Sequence, residues 1–192
     1  MVQGRPRNPD IDVAIREATL DLVAEQGYRG VSIEGIAARS GVAKQTVYRR
    51  FSGRGELILD ALTADAADRL PPRAVGTLYE DLTSFLTSTF AELNGRGGPL
   101  NRALLVEVLQ DREFADLFRT RHIAARRAAV AEILARARAR GEVESDDDET
   151  LIDLVFGPMW YRLLIGHGSL DAGYAAVLAR AVVTVAALDG AG

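Results

Sequence analysis

The sequence has no cysteine and only two histidines, His122 and His167, among its 192 residues. Without cysteine, a disulfide framework, a thiol nucleophile and a thiolate metal site are excluded. Two imidazoles are too few for a histidine-rich metal cluster, and neither a phosphate-binding glycine loop nor a G-x-S-x-G motif occurs. We therefore expect no catalytic residues, no metal, no cofactor and no enzymatic activity.

Long hydrophobic runs are also missing. The richest stretch, residues 151–165, is interrupted by Asp153 and Arg162, which excludes a membrane span. The N-terminus, MVQGRPRNPD, lacks the apolar segment of a signal peptide. Because 48% of the residues are hydrophobic, the chain can bury a core. The sequence thus predicts a soluble, cytoplasmic protein with no membrane partner.

The net charge of -4 would argue against a nucleic-acid partner if it were evenly spread. It is not. Residues 1–54 carry nine Lys and Arg against six Asp and Glu, a balance of +3, whereas residues 55–192 carry 14 against 21, a balance of -7. The first quarter of the chain is therefore predicted to be a separate, basic unit.

Apolar residues recur at spacings of three and four, and no segment alternates with period two. This pattern predicts an all-α fold of about nine helices. After a first helix that ends at Gly27 and a second that starts after Ser32, we expect helices at about 43–50, 56–70, 76–94, 99–110, 112–140, 147–166 and 171–188. Pro71 and Pro72 mark a boundary. The predicted division is an N-terminal domain at 1–55, a connecting helix at 56–70 and a C-terminal domain at 71–192.

Three short-range features near the N-terminus predict a helix-turn-helix. Ser32 is suited to cap the second helix, Gly41 interrupts the chain, and Val47 and Phe51 lie one turn apart on the predicted buried side of a third helix. Two short helices around a tight glycine turn, after a longer supporting helix, are typical of this motif.

The segment GVSIEGIAARSGVAKQTVYRRFSGRGEL, residues 30–57, resembles the DNA-binding domain of the TetR family of transcriptional regulators. The resemblance covers about fifty residues, and the matching positions are Gly27-Tyr28, Ser32, Ile36-Ala37, Gly41-Val42, Tyr48, Phe51, Arg54 and Leu57. Two positions depart from the family pattern. Ala43 replaces the usual Ser or Thr cap of the recognition helix, and Arg54 replaces the usual Lys.

The chemistry of DNA assigns roles on this segment. A recognition helix places its N-terminal residues at base edges, so Lys44 and Gln45 are the predicted base readers. Hydroxyls and guanidinium groups suit phosphate oxygens, and the predicted phosphate contacts are Ser32, Thr46, Tyr48, Arg49, Arg50 and Arg54. Arg5 and Arg7, in the N-terminal arm, are candidates for the backbone or a minor groove. The alternative for each arginine is a solvated surface charge.

For the C-terminal domain, the TetR resemblance implies an all-helical fold that dimerises through its last two helices and encloses a small-molecule pocket. Ligand there would tilt the fourth helix and separate the two recognition helices. Between residues 174 and 188 only Arg180 and Thr184 are polar, so this helix is expected to be buried by its own domain on one face and by a partner subunit on the other. The predicted dimer interface comprises Leu154, Val155, Tyr174, Val177, Leu178, Ala181 and Val185; the alternative is that both helices are simply core.

Aromatic residues with polar neighbours are the candidates for the pocket. They are Phe85, Glu107, Phe114, Phe118, His122, Trp160, Tyr161 and Arg162, with a core role as the alternative for the aromatics and a surface or capping role for the histidines.

Pro158 is predicted to break or kink its helix. The arginines between 119 and 140 are interpreted as a solvated face, and the acidic run 142–149 as the N-cap of the next helix rather than a metal site.

Together these features predict a sequence-specific DNA-binding transcriptional regulator. Its expected partners are a palindromic double-stranded DNA operator, a second copy of the chain and a small-molecule effector of unknown identity that releases it from DNA as a repressor. Two alternatives remain, namely an activator or ligand-independent regulator of the same fold and a nonspecific DNA-binding structural protein.

Overall fold

The computed structural model describes residues 9–68 and 76–188, and all regular structure within these ranges is helical. The helices are α1 (Pro9–Gly30), α2 (Ile33–Ser40), α3 (Lys44–Arg50), α4 (Arg54–Asp68), α5 (Leu78–Asn94), α6 (Gly97–Val108), α7 (Arg112–Leu117), a π-helical segment (Phe118–Ile123), α8 (Ala124–Ala139), α9 (Asp148–Ile165) and α10 (Ala172–Ala186). The all-α prediction is confirmed. None of the helices in these ranges is long and apolar enough to cross a membrane.

Several helices begin with a side-chain cap. Thr77 and Glu80 form a reciprocal capping box at the start of α5. Asp147 caps α9, because its carboxylate accepts a hydrogen bond from the Thr150 backbone N–H at 3.0 Å. Hydrogen bonds from Thr150 hold the pKa of Asp147 below its usual value. The predicted capping role of the acidic run 142–149 is thus confirmed at Asp147.

Two predicted interruptions have different outcomes. Gly27 has a φ of 70°, a conformation that favours glycine, and it breaks the helical geometry of α1, although helical hydrogen bonding continues to Gly30. Pro158 does not break α9, which runs unbroken from Asp148 to Ile165. Of the two predicted outcomes, a break is absent and a kink stays a prediction: Pro158 lacks one backbone N–H, but the buried residues on either side, among them Val155 and Met159, keep the helix packed.

The described residues form two compact units. The N-terminal unit contains residues 9–65 and 103–122, and the C-terminal unit contains 66–68, 76–102 and 123–188. This grouping differs from the predicted division because it places 103–122 with the helix-turn-helix. Aromatic contact explains part of the difference, since the ring of Phe114 in α7 lies 4.7 Å from that of Tyr28 in α1.

In the N-terminal unit, buried residues of α1 to α4 form the core. Ile15, Ile36, Val47 and Ile58, one from each helix, are completely buried. Val47 is the residue of α3 that the sequence assigned to the inner face, and its burial fixes which side of α3 faces outward. Phe51 follows α3 and is half-buried.

In the C-terminal unit, α5, α8, α9 and α10 share one hydrophobic core. Val155 and Leu178 belong to this core and are buried within the single chain, so neither can contact a partner subunit as predicted. Leu154, Tyr174 and Val185 are partly buried against the same core. Val177 and Ala181 are exposed, and Val177 is 60% exposed. In the single chain α10 thus packs one face on its own unit and leaves another face exposed.

Candidate DNA-binding surface

The helix-turn-helix is built from local signals. The Ser32 hydroxyl oxygen accepts a hydrogen bond from the Gly35 N–H at 3.0 Å and so caps α2. At the other end of α2, Gly41 has a φ of 68°, which turns the chain toward α3. The predicted cap at Ser32 is confirmed. Its hydroxyl hydrogen remains suited to a phosphate oxygen, because the cap uses the oxygen only as an acceptor.

The turn leads into α3 without a side-chain cap. Ala43 provides no side-chain acceptor, and its carbonyl oxygen accepts hydrogen bonds from the backbone N–H groups of Thr46 at 2.8 Å and Val47 at 3.3 Å. The departure from the family pattern at Ala43 thus leaves a helix of the expected length. It lacks only the extra hydrogen bond that a Ser or Thr hydroxyl would supply.

The outward side of α3 carries polar residues at helical spacing. Gln45, Tyr48 and Arg49 are exposed and lie three and four residues apart, so they share one face opposite Val47. Tyr48 is 50% exposed. Thr46 is half-buried at the edge of this face. An exposed amide, hydroxyl and guanidinium on one helical face are the groups that read base edges and bind phosphates.

Lys44, at the start of α3, forms a salt bridge with Glu34 of α2, and both side chains are exposed. The hydrogen bond from Lys44 lowers the pKa of Glu34, and the same interaction raises the pKa of Lys44. The Lys44 ammonium nitrogen also lies 5.6 Å from the centre of the Tyr48 ring. A predicted base reader is therefore held beside a carboxylate, a role for Glu34 that its position in the first turn of α2 did not reveal.

Arg50 does not lie free on the outer face. Its guanidinium pairs with Asp12 of α1, and only 13% of its side chain is exposed. In this conformation Arg50 joins α3 to α1, and its predicted phosphate contact would require this salt bridge to open. Two more salt bridges lie beside it, Arg16 with Asp60 at 2.9 Å and Arg121 with Glu56 at 2.9 Å. All six residues, with Phe51, line a cavity of about 200 Å³.

Arg54 is likewise engaged within the unit. Its Nη1 atom donates hydrogen bonds to the backbone oxygens of Arg29 and Val31, both at 3.4 Å, and its guanidinium lies 4.5 Å from the centre of the Tyr28 ring. Burial raises the pKa of Tyr28, and the neighbouring Arg54 charge opposes that shift. Arg54 therefore stabilises the connection between α1 and α2. The side chain that was predicted to contact phosphate is thus already engaged within the unit.

Four predicted pocket residues lie in the N-terminal unit. Phe114, Phe118 and His122 form a chain of ring contacts with centroid distances of 6.4 Å and 5.2 Å. His122 is buried, which corrects the surface or capping role expected for it. Glu107 accepts a hydrogen bond from Arg29 Nε at 3.1 Å. A cavity of about 280 Å³ is lined by Tyr28, Ser52, Gly53, Arg54, Gly55, Glu56, Asp111, Glu113, Phe114 and Leu117.

The other four predicted pocket residues lie in the C-terminal unit. Phe85 is buried and meets Phe156 edge to face at 6.1 Å, and Trp160 is partly buried against the same core. Tyr161 is 60% exposed beside His167, so it faces outward in the single chain. The Arg162 guanidinium lies 3.2 Å from the centre of the Tyr174 ring. The candidate residues are thus divided between the two units.

Some predictions concern residues outside the described ranges. Arg5 and Arg7 of the N-terminal arm lie there, as do Pro71 and Pro72 at the predicted boundary. Within the described ranges, no group of three or more His, Cys, Asp or Glu side chains is arranged to hold a metal ion.

Comparison with known proteins matches both parts of this chain. Residues 15–61 match the family model described as bacterial regulatory proteins, tetR family, and residues 72–182 match the tetracyclin repressor-like, C-terminal domain. Among solved structures, the TetR family transcription regulator SCO0332 superposes with a TM-score of 0.77 at 28% identity, covering 91% of this chain and 97% of that one.

Two curated relatives extend the match over most of the sequence. The uncharacterized HTH-type transcriptional regulator YdeS of Bacillus subtilis is 34% identical over 173 residues, which is 90% of this chain and 87% of that protein. The DNA-binding transcriptional repressor TetR of Mycobacteroides abscessus is 30% identical over 181 residues, 93% of this chain and 94% of that protein. This chain belongs to the TetR family of bacterial transcriptional regulators, which are DNA-binding proteins rather than enzymes.

Proposed function

We propose that this regulator is a repressor that binds a palindromic operator as a homodimer and is released by a small-molecule effector. The observation that carries the DNA-binding part is the exposed face of α3, where Gln45, Tyr48 and Arg49 stand opposite the buried Val47. A repressor role is supported by the relative from Mycobacteroides abscessus, which is named as a transcriptional repressor. Lys44 and Gln45 are the proposed base readers, and Thr46, Tyr48, Arg49 and the Ser32 hydroxyl the proposed phosphate contacts.

Exposed apolar residues on α9 and α10 support the homodimer. Tyr161 and Leu164 on α9, and Val177 and Ala181 on α10, are exposed although their helices carry the core of the C-terminal unit. Exposed apolar residues on helices that also carry the core are suited to an interaction site. A second copy, packed through a two-fold axis, would cover the same residues on both subunits and form a four-helix bundle. It would also supply the second recognition helix that a palindromic operator requires.

A gel-shift titration at fixed ionic strength tests the operator-binding part. The DNA immediately upstream of the protein's own gene competes against random duplex of equal length, since nonspecific affinity depends on salt and not on sequence. We expect a clear preference for the upstream DNA. Equal affinity for both would instead favour the nonspecific DNA-binding alternative.

A promoter fusion tests the direction of regulation. Reporter expression from the upstream DNA should fall when the regulator is present, and it should rise instead if the protein is an activator. Effector release is tested by thermal shift, because a ligand that binds the folded state raises the melting temperature by mass action. A ligand that stabilises the protein without lowering its affinity for the operator would contradict release.

A further inference from the structure

Arg126 stands apart from the other arginines of α8. Its Nη2 atom donates a hydrogen bond to the Thr89 hydroxyl oxygen at 2.7 Å, and its guanidinium carbon lies 5.0 Å from the centre of the buried Phe85 ring. Phe85 and Thr89 lie one turn apart on α5, so both contacts come from the same helical face. The sequence placed Arg126 on a solvated face; the structure places it against the core of the C-terminal unit.

The charge of Arg126 is poorly compensated in this environment. Within the described residues no carboxylate oxygen lies within salt-bridge distance of its guanidinium, whereas the adjacent Arg127 pairs with both Glu149 and Asp153. Burial lowers the pKa of Arg126, and the more distant charge of Glu92 opposes that shift. A largely desolvated guanidinium is stabilised most by an anion that approaches it directly.

Donors remain for such an anion. An arginine has five N–H donors, and among the described residues only the Thr89 hydroxyl accepts from Arg126. The Arg126 side chain is half-buried rather than enclosed, and none of its nitrogens is both fully buried and without a partner. A planar edge with parallel N–H groups matches the two oxygens of a carboxylate.

Glu92 limits the charge of the anion. It is buried on α5, and one of its carboxylate oxygens lies where a Cβ atom at Gly97 would stand, so its side chain lies against the first residue of α6. Its negative charge also acts on Arg126, whose pKa it raises. A ligand with two negative charges would be repelled by Glu92 more strongly than a ligand with one.

We propose that Arg126, Thr89 and Phe85 form a subsite that anchors the carboxylate of an effector with an apolar body. The guanidinium binds the two carboxylate oxygens, Thr89 fixes its orientation, and the Phe85 ring packs against the guanidinium. This subsite deepens the proposed effector-responsive function and rests on it.

Calorimetry without DNA tests the subsite, with octanoate and benzoate as probes. Neutral octanamide, cationic octylamine and octyl phosphate are the comparison ligands. We expect the carboxylates to bind, the amide and amine to bind much more weakly, and the phosphate ester to bind less well as its second charge forms. Loss of a charge-assisted hydrogen bond predicts that Arg126→Gln weakens carboxylate binding by about 10- to 100-fold.

Three variants keep the test decisive if Arg126→Gln fails to fold. Arg126→Lys keeps the charge but not the planar edge, so carboxylate affinity should fall less than in Arg126→Gln. Thr89→Val keeps the arginine and removes its orienting acceptor, and it should also weaken binding. Arg127→Gln is the matched control on the same helix and should bind the carboxylates as the wild type does.

The outcomes separate the subsite from the proposed function. Equal binding of octanoate and octanamide, no binding of any carboxylate or phosphate probe, or unchanged affinity in the Arg126 and Thr89 variants would overturn the subsite. A gel shift with operator DNA is the second readout. If a carboxylate binds through Arg126 but leaves the operator complex intact, the subsite is supported and effector release is contradicted. If an effector releases DNA equally well from the wild type and the Arg126 variants, effector release is supported and the subsite is contradicted.

Discussion

Lys44 on the recognition helix and Glu34 on the preceding helix form a salt bridge beside the proposed DNA-reading face. Glu34 places a negative charge where phosphates approach, and it holds the one lysine of the helix-turn-helix in a fixed position. Glu34→Gln should therefore strengthen DNA binding at low salt and reduce the preference for operator over random duplex. If Lys44 then reaches a phosphate, the slope of log K against log salt should steepen by about 0.9.

The Arg39 and Glu25 pair supplies the control for this prediction. It is also exposed and joins α2 to α1, but it contains no α3 residue. Glu25→Gln removes the same charge from the unit, so an equal effect of the two variants would mean that total charge alone explains the change. Unchanged affinity and salt slope in Glu34→Gln would show that the Lys44 pair does not limit DNA binding.

Gln45 and Arg49 lie on one face of α3 but should affect binding differently. The Gln45 amide can form two hydrogen bonds with adenine, so Gln45→Ala should lower operator affinity while leaving random-duplex affinity nearly unchanged. Arg49→Ala should weaken binding to every duplex and flatten the salt slope by about 0.9. Fluorescence anisotropy over a range of salt concentrations distinguishes the two effects, and equal losses on both duplexes would remove Gln45 from the base readers.

Arg50 should act on stability rather than on phosphate binding. Its half-buried salt bridge with Asp12 joins α3 to α1, so Arg50→Gln should lower the free energy of unfolding by about 1–3 kcal/mol. Asp12→Asn should cost a similar amount, and the double variant should cost less than the sum of the two. Urea denaturation measures each value. If Arg50→Gln is as stable as the wild type and its DNA binding depends less steeply on salt, then Arg50 contacts phosphate instead.

Ser32 has two separable roles. Ser32→Ala removes the cap of α2 and should lower the free energy of unfolding by about 1 kcal/mol. Ser32→Asn supplies another capping side chain and should recover most of that stability, as thermal denaturation would show. If DNA affinity also recovers in Ser32→Asn, the hydroxyl acts through the cap; if affinity stays low, the hydroxyl contacts the phosphate itself.

Local signals explain why the helix-turn-helix could be predicted. A serine cap, a glycine with positive φ and an apolar residue one turn into the next helix act within a few residues of each other, and Ser32, Gly41 and Val47 all behave as the pattern indicates. The resemblance to the TetR family indicated that α3 would serve as the recognition helix.

Long-range pairing explains what the sequence could not show. Arg49 and Arg50 are neighbours of the same type, yet one is exposed and the other pairs with a residue 38 positions away. Arg126 and Arg127 differ in the same way, since the first lies over Phe85 and the second reaches Glu149 and Asp153. In each pair the two residues are adjacent in sequence and point to different sides of their helix. The packing of the other helices decides which of the two side chains is enclosed.

The exposed apolar residues of α9 and α10 give the last prediction. Because Val177 is 60% exposed in the single chain, an aspartate there would fold without a buried charge, but it would place two like charges in the proposed two-fold interface. Val177→Asp should therefore yield a monomer of nearly unchanged helix content. Sedimentation velocity measures the assembly, and circular dichroism measures the helix content. Affinity for a palindromic operator should fall by about 100-fold, because the second half-site is no longer bound by a linked helix.

Leu109→Asp is the matched control. Leu109 is the most exposed large apolar residue of the described chain, at 87%, but it follows α6 rather than lying on α9 or α10. The substitution introduces the same charge at a comparable apolar position, so it should leave the dimer intact. If both variants dissociate, the interface is larger than the proposed four-helix bundle. If Val177→Asp remains a dimer with full operator affinity, the exposed face of α10 is not the surface through which two subunits associate.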